Sequence, residues 1–331
     1  MLQELQSILR HLTIAKTTIL YIFLFLLYGW YFYHKENIKT EKHGYLKSLI
    51  PPNALSKKSF KIDILFFIAA NVGLISYAIG LLQGLVYLEF LPIILSDFNF
   101  YSTHLSVSAQ YWLSNLKYGQ YILFFLAFLI YDFSAYGAHL MTHKSKYLWE
   151  FHKVHHYGEQ LTYLSGSRMH PIDAFITSYV PKIIVALFIS LLQPINSSVF
   201  DAPYNLFPRD SFILFALIIA IPELLNKFNH THYPISFGKF LDRIFVSPAF
   251  HTIHHSQKII GNNFGATLSI WDSIFQTSKL PAEVKDLKNH PVGVYELGDN
   301  YFSSFTDALL KPFRNIFQLA KYDTTKIVSK K

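Results

Sequence analysis

With 331 residues the chain is long enough for one large domain or two small ones, but 51% of it is hydrophobic and only 15% is charged, below the soluble average. The lack of cysteine excludes disulfides, thiolate metal sites and cysteine nucleophiles. The net charge of +8 comes largely from lysines beside apolar runs, where a positive-inside bias or contact with anionic lipid accounts for them, so no nucleic-acid partner is expected.

The first 16 residues carry no cleavable leader pattern, and residues 17–33, "TTILYIFLFLLYGWYFY", uncharged and ending in aromatics, predict a first membrane span. Residues 64–88 predict a second. Between them Lys35, Lys39, Lys42, Lys47, Lys57, Lys58 and Lys61 place the connection in the cytosol. The run from Tyr118 to His143 predicts one helix about 39 Å long at 1.5 Å per residue, so its last turns protrude into water on the cytosolic side. Residues 183–200 and 211–222 are shorter apolar runs that read as a hairpin entering from the cytosol and returning there. The tail from Lys311 to Lys331 predicts a basic, partly amphipathic helix on the membrane surface. The expected fold class is an all-α integral membrane protein of about four spans or hairpins under a cytosolic helical cap. Its expected parts are an N-terminal membrane anchor region (1–117), a histidine-rich domain (118–280) and a basic C-terminal tail (281–331).

Eleven of the 16 histidines lie between His139 and His255. His139 and His143 are four apart and share one helical face. In "HKVHH" His152 lies three and four residues before His155 and His156, while that adjacent pair diverges by about 100° on a helix, so neighbours can serve two metals. His251, His254 and His255 repeat the pattern in "SPAFHTIHH", which predicts a helix capped by Ser247 with Pro248 at its first position. Eight neutral imidazoles without cysteine suit iron, copper or zinc and exceed one tetrahedral site. Two ions explain the count, each served by both triplets. His11, His34, His43, His104 and His290 stand alone and read as ordinary solvated or interfacial histidines.

In these residues the chain resembles the fatty acid hydroxylase superfamily, integral-membrane di-iron proteins that include sterol desaturases and lipid hydroxylases. The resemblance covers about residues 118–280 and rests on "DFSAYGAHLMTH", "HKVHH", "NHTHYPISFGKFLDRIFVSPAFHTIHH" and "NNFGATLSIWDSIF", in that order. It implies a catalytic domain with two irons, or zinc after purification, held by His139, His143, His152, His155, His156, His251, His254 and His255. His230 matches an additional family histidine, and His232 is its neighbour or substitute. Asp132 and Tyr136, on the helical face of His139, are implied to orient ligands by hydrogen bonds. Asn263, Trp271 and Asp272 match family positions that fix the fold or contact substrate. In "RMHPID", His170 reads equally as a pocket or metal residue and as a helix cap. Leu140 and Gln276 stand where the family has Arg and Gly; neither change removes a ligand.

The implied activity is O2-dependent hydroxylation or desaturation of a lipid, as in sterol desaturases and fatty acid hydroxylases. The implied site lies on the cytosolic face of a bacterial inner membrane or the endoplasmic reticulum. A separate b-type cytochrome, ferredoxin or reductase would supply electrons, since no flavin or dinucleotide fingerprint is present. Two alternatives stay open: a non-catalytic metal-binding or transport protein of the membrane, and a zinc-dependent membrane hydrolase using Glu150 or Glu159 as base.

Overall fold

In the computed structural model, residues 50–81, 119–191 and 228–328 are described, apart from positions 52, 76, 79, 295, 296 and 299. The expected span at 17–33, the lysine-rich stretch up to Lys47 and the run at 211–222 lie outside the described residues. The described part is mostly helical and contains no strand, only the isolated bridges Phe245–Leu268 and Ser256–Val292. No helix among the described residues is long and apolar enough to cross a membrane.

Helix α1, Lys58–Asn71, follows a short turn at Ala54–Ser56. It stops where the Asn71 side chain donates to the Phe67 carbonyl and Gly73 turns at φ +82°, a conformation open to glycine. The apolar stretch beginning at residue 64 is therefore interrupted and does not run on as the one helix its hydropathy suggests. Helix α2, Gly119–Lys144, is the 26-residue rod expected from the Tyr118–His143 run. His143 and Lys144 close it where cations suit the helix C-terminus.

Ser145 ends the rod and opens α3, Lys146–His156; its Oγ accepts from the Leu148 N–H at 3.4 Å, so the two histidine-bearing helices meet across one residue. Downstream, His170 caps α4, Pro171–Ala174, which continues through a π-turn at Phe175–Tyr179 into α5, Val180–Leu191. Helix α6, Pro248–His254, begins as its sequence predicts: Ser247 Oγ accepts from the Phe250 N–H at 3.2 Å and Pro248 takes the first position. A short α7, Ile270–Ile274, precedes the long α8, Phe305–Val328, which holds Pro312 within it.

Among the described residues, one core cluster joins α1, the end of α3 and the start of α8 through Ile62, Phe66, Val154, Tyr157, Phe302 and Ala308. Each large apolar side chain buried there contributes roughly 1.5–3 kcal/mol. Against the other flank of the histidine helices, Ala127 and Tyr131 of α2 pack on Val185 of α5.

A buried ion pair ties α1 into this frame. Asp63 and Arg168 are 1% exposed and bond through Oδ1 and Nη1. Arg168 also donates from Nε to the Val154 carbonyl and from Nη2 to the His155 carbonyl, both at 3.1 Å. Arg168 is thus a bracket beneath α3.

Candidate metal centre

Nine histidine side chains converge between α2, α3, α6 and the segment around residue 230. They fall into two groups, His139, His143, His152, His156 and His254, and His155, His230, His251 and His255. Within each group the ligand nitrogens lie within 4.8 Å of one another. Each triplet is divided: the outer histidines of "HKVHH" and the central one of "HTIHH" enter the first group, and the remainder enter the second. The roughly 100° step between adjacent helical residues produces that split. The groups touch where the His156 and His255 rings stack at 4.3 Å between centroids.

In the first group the Nε2 atoms of four of the five histidines, all but His143, form a chain of close approaches. His139 to His152 is 3.2 Å, His152 to His156 3.1 Å and His156 to His254 3.1 Å. In the second, His155 to His230, His230 to His251 and His251 to His255 are each 3.0 Å. Two nitrogens bound to one ion at right angles, with bonds of about 2.1 Å, stand about 3.0 Å apart.

The far side of the rings decides what those contacts are. His139 Nδ1–H donates to the Phe264 carbonyl at 2.9 Å, His254 Nδ1–H to the Asn262 carbonyl at 2.9 Å, and His155 Nδ1–H to the Arg168 carbonyl at 3.3 Å. His152 Nδ1–H donates to Asp173 Oδ1 at 2.9 Å. A neutral imidazole has one N–H, so each of these rings presents a bare Nε2 lone pair to the group centre. Burial, reinforced by neighbouring imidazoles, holds His155, His156, His251 and His255 well below their ordinary value of 6.5. Burial first, and His152 and His230 after it, lower His254 to about 3. The facing lone pairs of His139 and His152 at 3.2 Å, among neighbouring rings whose burial suppresses protonation, fit a shared cation.

The frame that carries these rings is itself hydrogen-bonded. Asp132 accepts from the Thr267 N–H at 3.0 Å, the Leu268 N–H at 3.1 Å and Trp271 Nε1–H at 2.9 Å. It therefore holds the loop that supplies the Phe264 carbonyl, and its bonds go to that loop and to no histidine. Tyr136 likewise meets Thr277 Oγ1 at 3.1 Å and stacks on Phe275. Asp272 accepts from the Phe264 and Gly265 N–H groups, each at 2.7 Å, and burial pushes its carboxyl up to about 6. Gly265 is required here, since a Cβ would lie 2.6 Å from the Leu268 carbonyl oxygen. Asn263, at φ +63°, donates to the Phe250 carbonyl and accepts from the Lys279 N–H, tying α6 to the loop before residue 280.

His170 takes the capping role of its two readings: Nδ1 accepts from the Ile172 N–H at 3.2 Å and Nε2–H donates to the Leu309 carbonyl of α8 at 3.1 Å. His232 packs against Tyr233 and belongs to neither group. Asp173 is the acid of the "RMHPID" segment, but residue type and spacing assign it no role there. The three carbonyl acceptors leave no trace in residue type at all.

A cavity of about 320 Å³ opens against both groups, lined by His139 and His152 on one side and His155, His230 and His251 on the other. Its remaining wall comes from α2 (Tyr131, Ala135), the π-turn (Thr177, Ser178, Tyr179), Lys182, Met169 and the small residues Gly166, Gly265 and Ala266.

Residues 124–277 match the family model described as fatty acid hydroxylase. Over 143 residues the chain is 29% identical to the ornithine lipid hydroxylase OlsE of Rhizobium tropici, an overlap of 43% of this chain and 37% of that protein. The chain thus covers little more than a third of that relative's length. No solved structure matches it.

Proposed function

Because residues 124–277 form a fatty acid hydroxylase domain, we propose that the protein is an O2-dependent lipid hydroxylase, or a desaturase of the same chemistry, with two irons in the two histidine groups. The observation that carries this reading is the pair of Nε2 chains, in which His139, His152, His155 and His254 commit their outward nitrogens to carbonyls and a carboxylate. The similarity to an ornithine lipid hydroxylase supports a lipid as substrate.

The resident ions would be held by His139, His143, His152, His156 and His254 in one group and by His155, His230, His251 and His255 in the other. When bound, such a centre supplies the reduction of O2 that makes an alkyl C–H bond oxidisable. The chain's own part is positional. Asp173 fixes the ring plane and tautomer of His152 and makes its Nε2 a better donor. The carbonyls of Asn262, Phe264 and Arg168 do the same for His254, His139 and His155. The cavity admits an alkyl segment to the face shared by both groups, and its small residues leave room for a chain to lie flat. Electrons come from a separate protein, for which the basic surface is a suitable docking face.

A membrane setting belongs to this proposal, with the site on the cytosolic side. Ile122, Phe125 and Leu126 of α2 and Ile64, Leu65 and Ile68 of α1 are exposed, as lipid-facing residues are. The hydrolase alternative draws less support, because its candidate bases are engaged elsewhere: Glu150 with Lys153 and Asn315, Glu159 with Lys57.

The test is metal content and Mössbauer spectra of detergent-purified protein, followed by reduction under oxygen-18 with lipid extracts. About two irons per chain in a coupled state and labelled oxygen in a lipid product are expected. Zinc retained after iron-loaded expression, with no labelled lipid, sinks the proposal.

A further inference from the structure

Apart from its histidines, the cavity lining carries one formal charge. Among its described lining residues, Lys182 is the only charged side chain other than histidine, and no acidic residue lines the space. Lys182 stands at the start of the apolar α5, "VPKIIVALFISL", half-buried, with Nζ 5.0 Å from the centre of the Tyr179 ring. Thr177 Oγ1 donates back to the Asp173 carbonyl at 2.8 Å. The π-turn that bears Thr177, Ser178 and Tyr179 adds a residue to the helix just before the lysine, a distortion that recurs at functional sites. A lysine within an otherwise apolar helix, turned to a cavity, marks a ligand of opposite charge. Metal ions in the histidine groups would add positive charge to the same space and make an anion there more favourable.

We propose that this cavity recognises an amphiphile with an anionic headgroup, a phosphate or a carboxylate, paired with Lys182, which thereby sets which carbon lies against the histidines. This rests on the lipid reading above and names its substrate class. The Tyr179 ring lies beside the ammonium at the cavity wall and restrains it there. Neutral lipids of the same chain length lack the charged hydrogen bond and fit less tightly.

Binding tests this without turnover. The full chain, metal-loaded in a non-ionic detergent, is titrated with octyl phosphate, octanoate and octanol by calorimetry, beside Lys182→Gln and Lys182→Arg. For the wild type, at least one anion binding about tenfold tighter than octanol is expected, a preference that falls to near unity in Lys182→Gln and survives in Lys182→Arg. Which anion binds more tightly separates phosphate from carboxylate. Equal binding of octanol and both anions by the wild type overturns the proposal, and that arm needs no variant to fold. So does an anion preference left intact in a Lys182→Gln protein of unchanged metal content, which would mean that Lys182 only reaches for the interface. If the preference depends on Lys182 but no lipid is oxidised, the headgroup site stands and the hydroxylase reading falls. Oxidised lipid without that dependence gives the reverse.

Discussion

His139 and His152 face each other Nε2 to Nε2 at 3.2 Å while their Nδ1–H groups donate to Phe264 O and Asp173 Oδ1, each at 2.9 Å. As neutral imidazoles, neither ring has a second proton to place between the nitrogens. The contact is therefore a ligand pair in the making, with its orientation set from behind.

Asp173 is the more replaceable half of that arrangement. Asp173→Asn keeps the volume but weakens the acceptor, and its amide can present N–H to N–H. A loss of about 10- to 100-fold in metal affinity or turnover is expected, read by chelator competition on the purified protein. Metal affinity equal to wild type would show that His152 is oriented by packing alone.

The division of the triplets makes a sharper test. His155 belongs to one group and His254 to the other, although they sit at related places in two copies of one motif. Each Ala variant should lower metal content by about one ion per chain while leaving the other group able to bind. Elemental analysis of the singles and the double variant checks this; loss of both ions in each single would mean that the groups bind as one unit.

How far the sequence carries depends on what kind of atom does the work. The histidine spacing gives the ligand-bearing helices, and the 3.6-residue turn gives their division between two groups, because both follow from side-chain identity and helix geometry. Phe264, Asn262 and Arg168 serve through backbone carbonyls, which no residue type announces. Asp132 shows the intermediate case: its importance is legible from a lone acid in an apolar helix, but its partners, more than 130 residues away in a loop, are not. Arg168 misleads more completely, since its charge suggests a wet loop until Asp63, far earlier in the chain, neutralises it in the core. Hydropathy also cannot see Gly73, whose backbone turn interrupts an apolar stretch with no change in polarity.

Breaking the Asp63–Arg168 pair should be costly because it leaves a charge buried without its partner. Arg168→Met is expected to lose about 3–5 kcal/mol of stability, and pairing it with Asp63→Leu to recover much of that. Denaturant unfolding of the three proteins decides it. Additive losses in the double variant would place the energy in the Arg168 bonds to the Val154 and His155 carbonyls instead.

Asp132→Asn should act on the metal through the loop. Three N–H groups converge on the carboxylate, and an amide there sets a donor against donors. A stability loss of about 1–3 kcal/mol is expected, together with weaker metal binding as the Phe264 carbonyl shifts from His139. Trp271→Phe removes one donor and should produce a smaller change in both. A stability loss with metal affinity untouched would separate the loop from the ligand set.

Acid should destabilise the metal-free protein, and the sign follows from opposing groups. His254 falls from 6.5 to about 3 on folding, so below pH 6.5 the unfolded chain binds the extra proton and stability drops as pH falls toward 3. His155, His156, His251 and His255 are shifted the same way and add to the slope, up to about 1.4 kcal/mol per pH unit for each. Asp272 opposes them: raised from 3.8 to about 6, its burial penalty is relieved as pH falls from 6 to 3.8. Five histidines outweigh one carboxyl, so the melting temperature should decline steadily below about pH 6.5, and bound metal should both raise it and steepen its dependence on pH. A flat profile between pH 6.5 and 5 would mean that the histidines are already hydrated or protonated in the metal-free state, and that the groups form only around their ions.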